Sequence, residues 1–298
     1  MSLQCLVLAG GRGMRLDSLT SRWPAPLLYL PGGTLLDYVL HHVSLLPVAP
    51  PWVLLQYKGD AIASHLNERY AEPLDLIAQL PPFTMFGALA SAVPHIEGAT
   101  LVLHANHYFS ESLAEALEEV DPERPTFFVS EGTDDLQQSG AYLLPAEAFY
   151  LAAQSLADGT PAALFHMLEQ AGMHPRRHTV SGRAFAVQTV SDVMNLNRFL
   201  LINWHDVLWP SVAGVGYRAL NYSWISPSAT LEGTTIVSFT TIGPRVALRD
   251  SVVTNALVYP GVHLNKQRER CTIMLIDGND RLLQLYGNPA KIDAPDCR

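Results

Sequence analysis

A chain of 298 residues with 48% hydrophobic, 16% charged and 9% aromatic residues is ordinary for a folded protein, and about 150 residues per domain points to two domains. Intrinsic disorder is excluded for its bulk, and the net charge of −9 argues against partners that need a broad basic surface, such as nucleic acid or anionic membrane. Cys5, Cys271 and Cys297 form neither a disulfide framework nor a zinc motif, which fits a reducing cytoplasm.

In chain order, strands are predicted at Leu3–Ala9, Trp52–Gln56, Leu74–Ala78, Thr100–His104, Thr126–Val129, Gly140–Leu144 and Arg183–Val187. Helices are predicted at Leu35–Leu45, Asp60–Arg69, Met85–Val93, Glu111–Val120, Pro161–Ala171 and Val190–Ile202. Strands alternating with helices of this length imply an α/β domain over residues 1–203 with a mostly parallel sheet. Leu3–Ala9 is too short for a signal peptide and lacks its basic flank, and no apolar run approaches the roughly 20 residues of a membrane span. A soluble cytoplasmic protein is expected, with residues 204–220 as a linker.

A repeat follows in residues 221–298. Ile225-Ser-Pro-Ser-Ala-Thr-Leu231 reads against Ile242-Gly-Pro-Arg-Val-Ala-Leu248 and Val258-Tyr-Pro-Gly-Val-His-Leu264. Val246, Val252, Val258 and Leu264 recur every six residues, as do Ile236, Ile242 and Leu248. Hexad spacing of aliphatics is the signature of a short parallel β-helix, each inward side chain stacking on the coil below. Two to three coils fit, closed by a strand at Thr272–Ile276 and a turn at Asp277-Gly-Asn.

The segment Leu6-Val-Leu-Ala-Gly-Gly-Arg-Gly-Met-Arg-Leu16 runs a strand into three glycines, Gly10, Gly11 and Gly13, with Arg15 beyond. Glycines let successive backbone N–H groups face an anion, and arginine supplies a planar cationic fork suited to phosphate. With Pro24-Ala-Pro-Leu27 and Gly33-Thr-Leu-Leu-Asp-Tyr38 following, the chain resembles the sugar nucleotidyltransferases, or NDP-sugar pyrophosphorylases. The resemblance implies a Rossmann-like, GT-A-like nucleotidyltransferase domain followed by a short left-handed hexapeptide-repeat β-helix. Its activity would join a nucleoside triphosphate to a sugar 1-phosphate with Mg²⁺, releasing pyrophosphate. It implies nucleotide and phosphate contacts at Leu8, Ala9, Gly10, Gly11, Gly13, Arg15 and Gln79, and sugar contacts at Glu131 and Gly140.

Three positions depart from the family pattern. Ala25 stands where the family has the lysine of P-K-P-L. Asn106 stands at the aspartate of its first metal-binding G-D, in Leu101-Val-Leu-His-Ala-Asn-His107, and Ala186 at its second metal-binding aspartate. Asn106 offers a neutral oxygen where Mg²⁺ prefers carboxylates, so the two-carboxylate mechanism is not expected to operate and no metal site is predicted. The altered Thr84-Met-Phe-Gly-Ala-Leu89 turn is expected to fill the base and sugar wall with Met85 and Phe86. Asp192 reads as a helix-start acid, and Lys58 is not expected to replace the missing lysine.

Other clusters read as structural. His104 and His107 are expected to pack and hydrogen-bond rather than hold zinc, and Arg176-Arg177-His178 to be a solvated loop. His263 is not expected to be an acyltransferase base, and Trp204, Trp209 and Trp224 are expected to pack at an interface. The resulting expectation is a catalytically degenerate homologue, a pseudoenzyme without a cofactor. It would bind a nucleotide or sugar nucleotide, regulate or assemble with an active nucleotidyltransferase paralogue, or both, as a homo- or hetero-oligomer. The alternatives are an active nucleotidyltransferase, which would need Mg²⁺, and a purely structural assembly subunit.

Overall fold

The computed structural model describes residues 3–16, 19–131, 135–136, 139–155, 159–203, 217–219, 222–236, 238–270, 272–276 and 282–286. The chain divides into two compact units, Met1–Arg12 with Leu36–Ala186, and Gly13–Leu35 with Val187–Arg298. Most of the expected 204–220 linker lies outside the described residues, as do Trp204, Trp209 and the Asp277 turn. Among the described residues no helix is long and apolar enough to cross a membrane.

The first unit is built on seven strands: β1 (Gln4–Leu8), β2 (Trp52–Leu55), β3 (Asp75–Ala78), β4 (Thr100–His104), β6 (Thr126–Ser130), β7 (Ala141–Leu144) and β8 (Arg176–Val180). Their order is β8-β6-β7-β4-β1-β2-β3, and only β7 runs against its neighbours, pairing antiparallel with β4 and β6. The remaining two strands, β5 (His107–Phe109) and β9 (Ala184–Ala186), form a separate antiparallel pair. The near-continuous apolar runs of β1 and β4 suit strands covered on both faces. Helices α1 (Leu35–Ser44), α2 (Gly59–Arg69), α3 (Met85–Ala92), α4 (Ala146–Gln154) and α5 (Pro161–Gln170) alternate with them. Phe86, Phe127, Phe149 and Tyr142 are fully buried in one cluster with Leu6, Leu54 and Leu164, each contributing roughly 1.5–3 kcal/mol.

Several expectations change here. Arg176–Val180 is an edge strand rather than a loop, parallel to β6, with Arg177 over the Phe165 ring. Its charged residues suit an exposed edge. The helix expected at Glu111–Val120 is confined to Ala114–Glu118, while α4 extends the helical content beyond the sequence expectation.

In the second unit, short strands stack into parallel sheets of a β-helix. Ile225, Ile242, Val258 and Met274 form one inward ladder, and Leu231, Leu248 and Leu264 a second. The third ladder corrects the hexad count, for Ile236 pairs with Val253, which is fully buried, and not with Val252. Successive coils are 17 and 16 residues rather than three full hexads, so counting by six drifts out of phase by one. That third ladder ends at Glu269, a buried residue whose carboxylate accepts a hydrogen bond from Gln284 Nε2 at 2.8 Å. Coil corners are turned by residues in the left-handed region, including Tyr222, Phe239 and Asn255 at one edge and Gly233, Asp250 and Lys266 at another.

Helix α6 (Val190–Ile202) belongs to this unit. Its fully buried Asn197 accepts from Thr241 Oγ1 at 2.6 Å, and the Arg198 guanidinium lies 3.8 Å from the Phe239 ring centroid. Trp224 packs against Tyr29 at 6.0 Å inside the same unit.

Candidate functional site

The glycine loop begins where β1 ends. Leu8 O accepts from Ala105 N–H at 3.0 Å and Ala9 N–H donates to Leu54 O at 2.9 Å, so the neighbouring strands fix the loop's first residues. Gly10 O accepts from Tyr57 N–H at 3.2 Å. A Cβ on Gly10 would lie 2.9 Å from Gln56 Cβ and 3.1 Å from Gln79 Oε1, so the close approach of the two strand ends requires glycine. Gly11 is exposed, and a Cβ there would meet nothing within 4 Å. This is the open backbone the anion reading needs.

Further along, in the second unit, Gly13 sits at φ +65°, a conformation glycine adopts at little cost. It opens the turn Met14–Leu16, on which Arg15 is exposed. Ala25 is buried, and its methyl group faces Gly13, whose own Cβ would come within 3.1 Å.

Gln79 adjoins Gly10. Its Nε2 donates to Thr84 O at 2.8 Å and to Pro82 O at 3.3 Å, so both amide donors are engaged by the backbone and Oε1 is the group facing Gly10. Thr84 caps α3, its hydroxyl accepting from Gly87 N–H at 3.1 Å. Met85 is partly buried and packs against the core cluster, its sulfur accepting from the Tyr142 hydroxyl at 3.5 Å. Phe86 is buried in that core, because its position on α3 faces α4 and the sheet.

The structure brings Asn106 and Ala186 together. Ala186 is the register partner of His107 across β5 and β9, and Asn106 Oδ1 accepts from His107 Nδ1 at 3.1 Å. His104 is hydrogen-bonded to the Tyr142 hydroxyl. Burial lowers the His104 pKa to about 4, so its imidazole is neutral near pH 7. The His104 and His107 rings meet edge-on at 5.6 Å, and a Cβ on Gly140 would fall inside the His107 imidazole. His107 therefore takes up the space above Gly140. The neutral His104 imidazole, the His107 ring, one amide oxygen and a methyl group do not fit Mg²⁺, which wants octahedral oxygen ligands with carboxylate charge. Among the described residues, no three His, Cys, Asp or Glu side chains gather as a metal site.

A family model described as nucleotidyl transferase matches residues 4–142, the stretch that carries β1, the glycine loop, Gln79 and Asn106. Over this stretch the chain is similar to the nucleotidyl transferase family. Among solved structures, a Bacillus anthracis protein described as a glucose-1-phosphate thymidylyltransferase, in complex with a sucrose, superposes with a TM-score of 0.59 at 14% identity. The match covers 66% of this chain and 95% of that one, and at that identity it shows the shared fold. No curated protein matches the sequence.

Within the first unit, a cavity of about 190 Å³ lies beside Ala186, lined among others by Ser130, Glu131, Asp135, Arg183 and Phe185. Glu131 is thus placed in a concave site, while Gly140 is packed under His107. Sequence reasoning passed over Asp135 and Arg183, which lie 51 and 3 residues from Ala186 and acquire a common wall only through folding. Asp192 closes a capping box: its Oδ2 accepts from Thr189 N–H at 2.8 Å, and Thr189 Oγ1 accepts from Asp192 N–H. Cys5 is fully buried and its thiol is pushed up to about 12, so it is no nucleophile. His263 is exposed on the β-helix surface.

Proposed function

We propose that this protein is a catalytically inactive nucleotidyltransferase homologue that binds a nucleotide or sugar nucleotide through the loop starting at Leu8 and works as a regulatory or assembly subunit. One observation carries the reading. Where the family resemblance puts two metal-binding aspartates stand Asn106 and Ala186, neither of which supplies a carboxylate, and Asn106 is tied to a buried His107. At the same time Gly10 is held at a close approach and Gly11 keeps an open backbone. Losing preorganised electrostatic groups costs about 10²–10³ in rate apiece, although losses within one unit do not multiply. The buried Ala25 removes a further charge from the same reaction. The sugar-bound structural relative supports a sugar nucleotide as one ligand class.

The test pairs ligand-dependent melting with pyrophosphate release. Nucleoside triphosphates, diphosphates and sugar nucleotides are screened with and without Mg²⁺. A ligand at 100 times its dissociation constant adds about 2.7 kcal/mol, a shift of several degrees. The expected result is a shift from one nucleotide class independent of Mg²⁺, with pyrophosphate release at background. Turnover with any sugar 1-phosphate overturns the inactive assignment; no shift from any ligand overturns the binding assignment and leaves an assembly role.

A further inference from the structure

The glycine loop is accompanied by a pair of cations that motif reasoning did not connect. Arg12 Cζ lies 5.5 Å from the centroid of the Tyr57 ring, and Lys58 Nζ lies 5.6 Å from the same centroid. The ring is anchored to the loop, because Tyr57 N–H donates to Gly10 O. Arg12 directly follows Gly11, whose backbone is open to solvent. The setting is otherwise acidic: residues 1–12 and 36–186 hold 7 Lys and Arg against 18 Asp and Glu. Two of those few cations share a single aromatic ring beside the loop.

The backbone at Lys58 adds to this. Lys58 is the N-cap of α2 and sits at φ +51°, in the left-handed region that a residue with a Cβ avoids. The N-cap position favours short polar side chains, and the positive end of a helix disfavours a cation. Asp60 in the first turn is exposed and offsets part of that charge. A strained lysine at the wrong end of a helix, gathered onto one ring with an arginine, breaks several local rules at one spot. Such coincidences collect at functional sites, where a bound partner relieves them.

We infer that Arg12 and Lys58, held on Tyr57, form an anion subsite for the polyphosphate chain of a nucleotide. This rests on the reading of the glycine loop as a phosphate cradle, and it names the phosphate chain as the part of the ligand this chain recognises best. Lysine and arginine donate to phosphate oxygens, and the ring limits the freedom of both side chains, so less ordering is needed when the anion arrives.

The probe is inorganic tripolyphosphate, which carries the charge without base or sugar, titrated calorimetrically into the full chain. The expected result is binding that weakens as salt rises. Arg12→Gln and Lys58→Gln are each expected to weaken it about tenfold or more. Tyr57→Leu, which keeps both charges and removes their support, is expected to weaken it less. Arg69→Gln, a charge change elsewhere on α2, is expected to leave it unaltered. Melting temperatures without ligand confirm that each variant folds. If tripolyphosphate does not bind, or binds R12Q/K58Q as tightly as the parent, the subsite is refuted. If nucleotides stabilise the parent and R12Q/K58Q equally, the subsite fails while the nucleotide-binding reading survives. If tripolyphosphate binds through Arg12 and Lys58 but no nucleotide binds, the subsite stands and the nucleotide reading falls.

Discussion

Two neighbouring strand ends of the same sheet have been treated in opposite ways. Beyond β1, the loop keeps Gly11 exposed, while Gly10 is packed beside Gln79 and bonded to the Tyr57 backbone. Beyond β4, the positions that resemble a metal site are filled by side chains: His104 on Tyr142, and His107 over Gly140 and against Asn106. An anion loop needs bare N–H groups and tolerates any role that binds phosphate, whereas a metal site without carboxylates is a polar hole. Close packing and internal hydrogen bonds remove the cost of such a hole. Under the proposed function, binding and catalysis separate because they depend on different strand ends.

The largest expected effect tests whether the β4 end is closed. His104 has a folded pKa of about 4 against about 6.5 unfolded, so below pH 6.5 the unfolded chain binds more protons. Stability is therefore lost as pH falls from about 6.5 to 4, by about 3 kcal/mol from this residue. His42, also lowered to about 4 by burial and by His41, adds a slope of the same sign. Denaturation midpoints of His104→Gln should fall less steeply over that range than those of the parent; parallel curves would mean His104 is solvated. Next, Gly140→Ala should destabilise by about 2 kcal/mol through overpacking against His107. Urea denaturation of G140A/H107A should recover much of that loss if the ring is where the clash lies.

Smaller effects sharpen the β1 end. Gly10→Ala should cost about 1 kcal/mol in chemical denaturation, since its Cβ meets Gln56 and Gln79 Oε1. Thr84→Ala should cost a similar amount through the lost α3 cap. Gly11→Ala should leave stability within about 0.5 kcal/mol, because its Cβ enters open space. A large loss at Gly11 would mean the loop is packed like the other end.

What the sequence revealed follows the range of the interactions. The glycine loop, α1 and the repeat were legible because each is specified by residues a few positions apart. The pairing of His107–Phe109 with Ala184–Ala186 was not, since two three-residue strands far apart in sequence carry no periodicity of their own. Phe86 was assigned to the wrong side because which face of α3 is buried depends on α4, itself absorbed into the apolar run after Gly140. Arg176–Val180 reads as solvent-exposed, which an edge strand is; its ladder to β6 is a long-range fact. Lys58 carried no motif, and only the meeting of Tyr57 with the glycine loop gives it a neighbourhood.

The Glu269 carboxylate that ends the Ile236–Val253 ladder makes the last coil a poor template. A coiled stack with an aliphatic top invites the next coil, from its own chain or another. Adding one over Glu269 would stack it on a carboxylate already buried and bonded to Gln284, and an inward charge at a sheet edge discourages that growth. Among the described residues, the outermost rung of that sheet thus carries its own stop against further stacking.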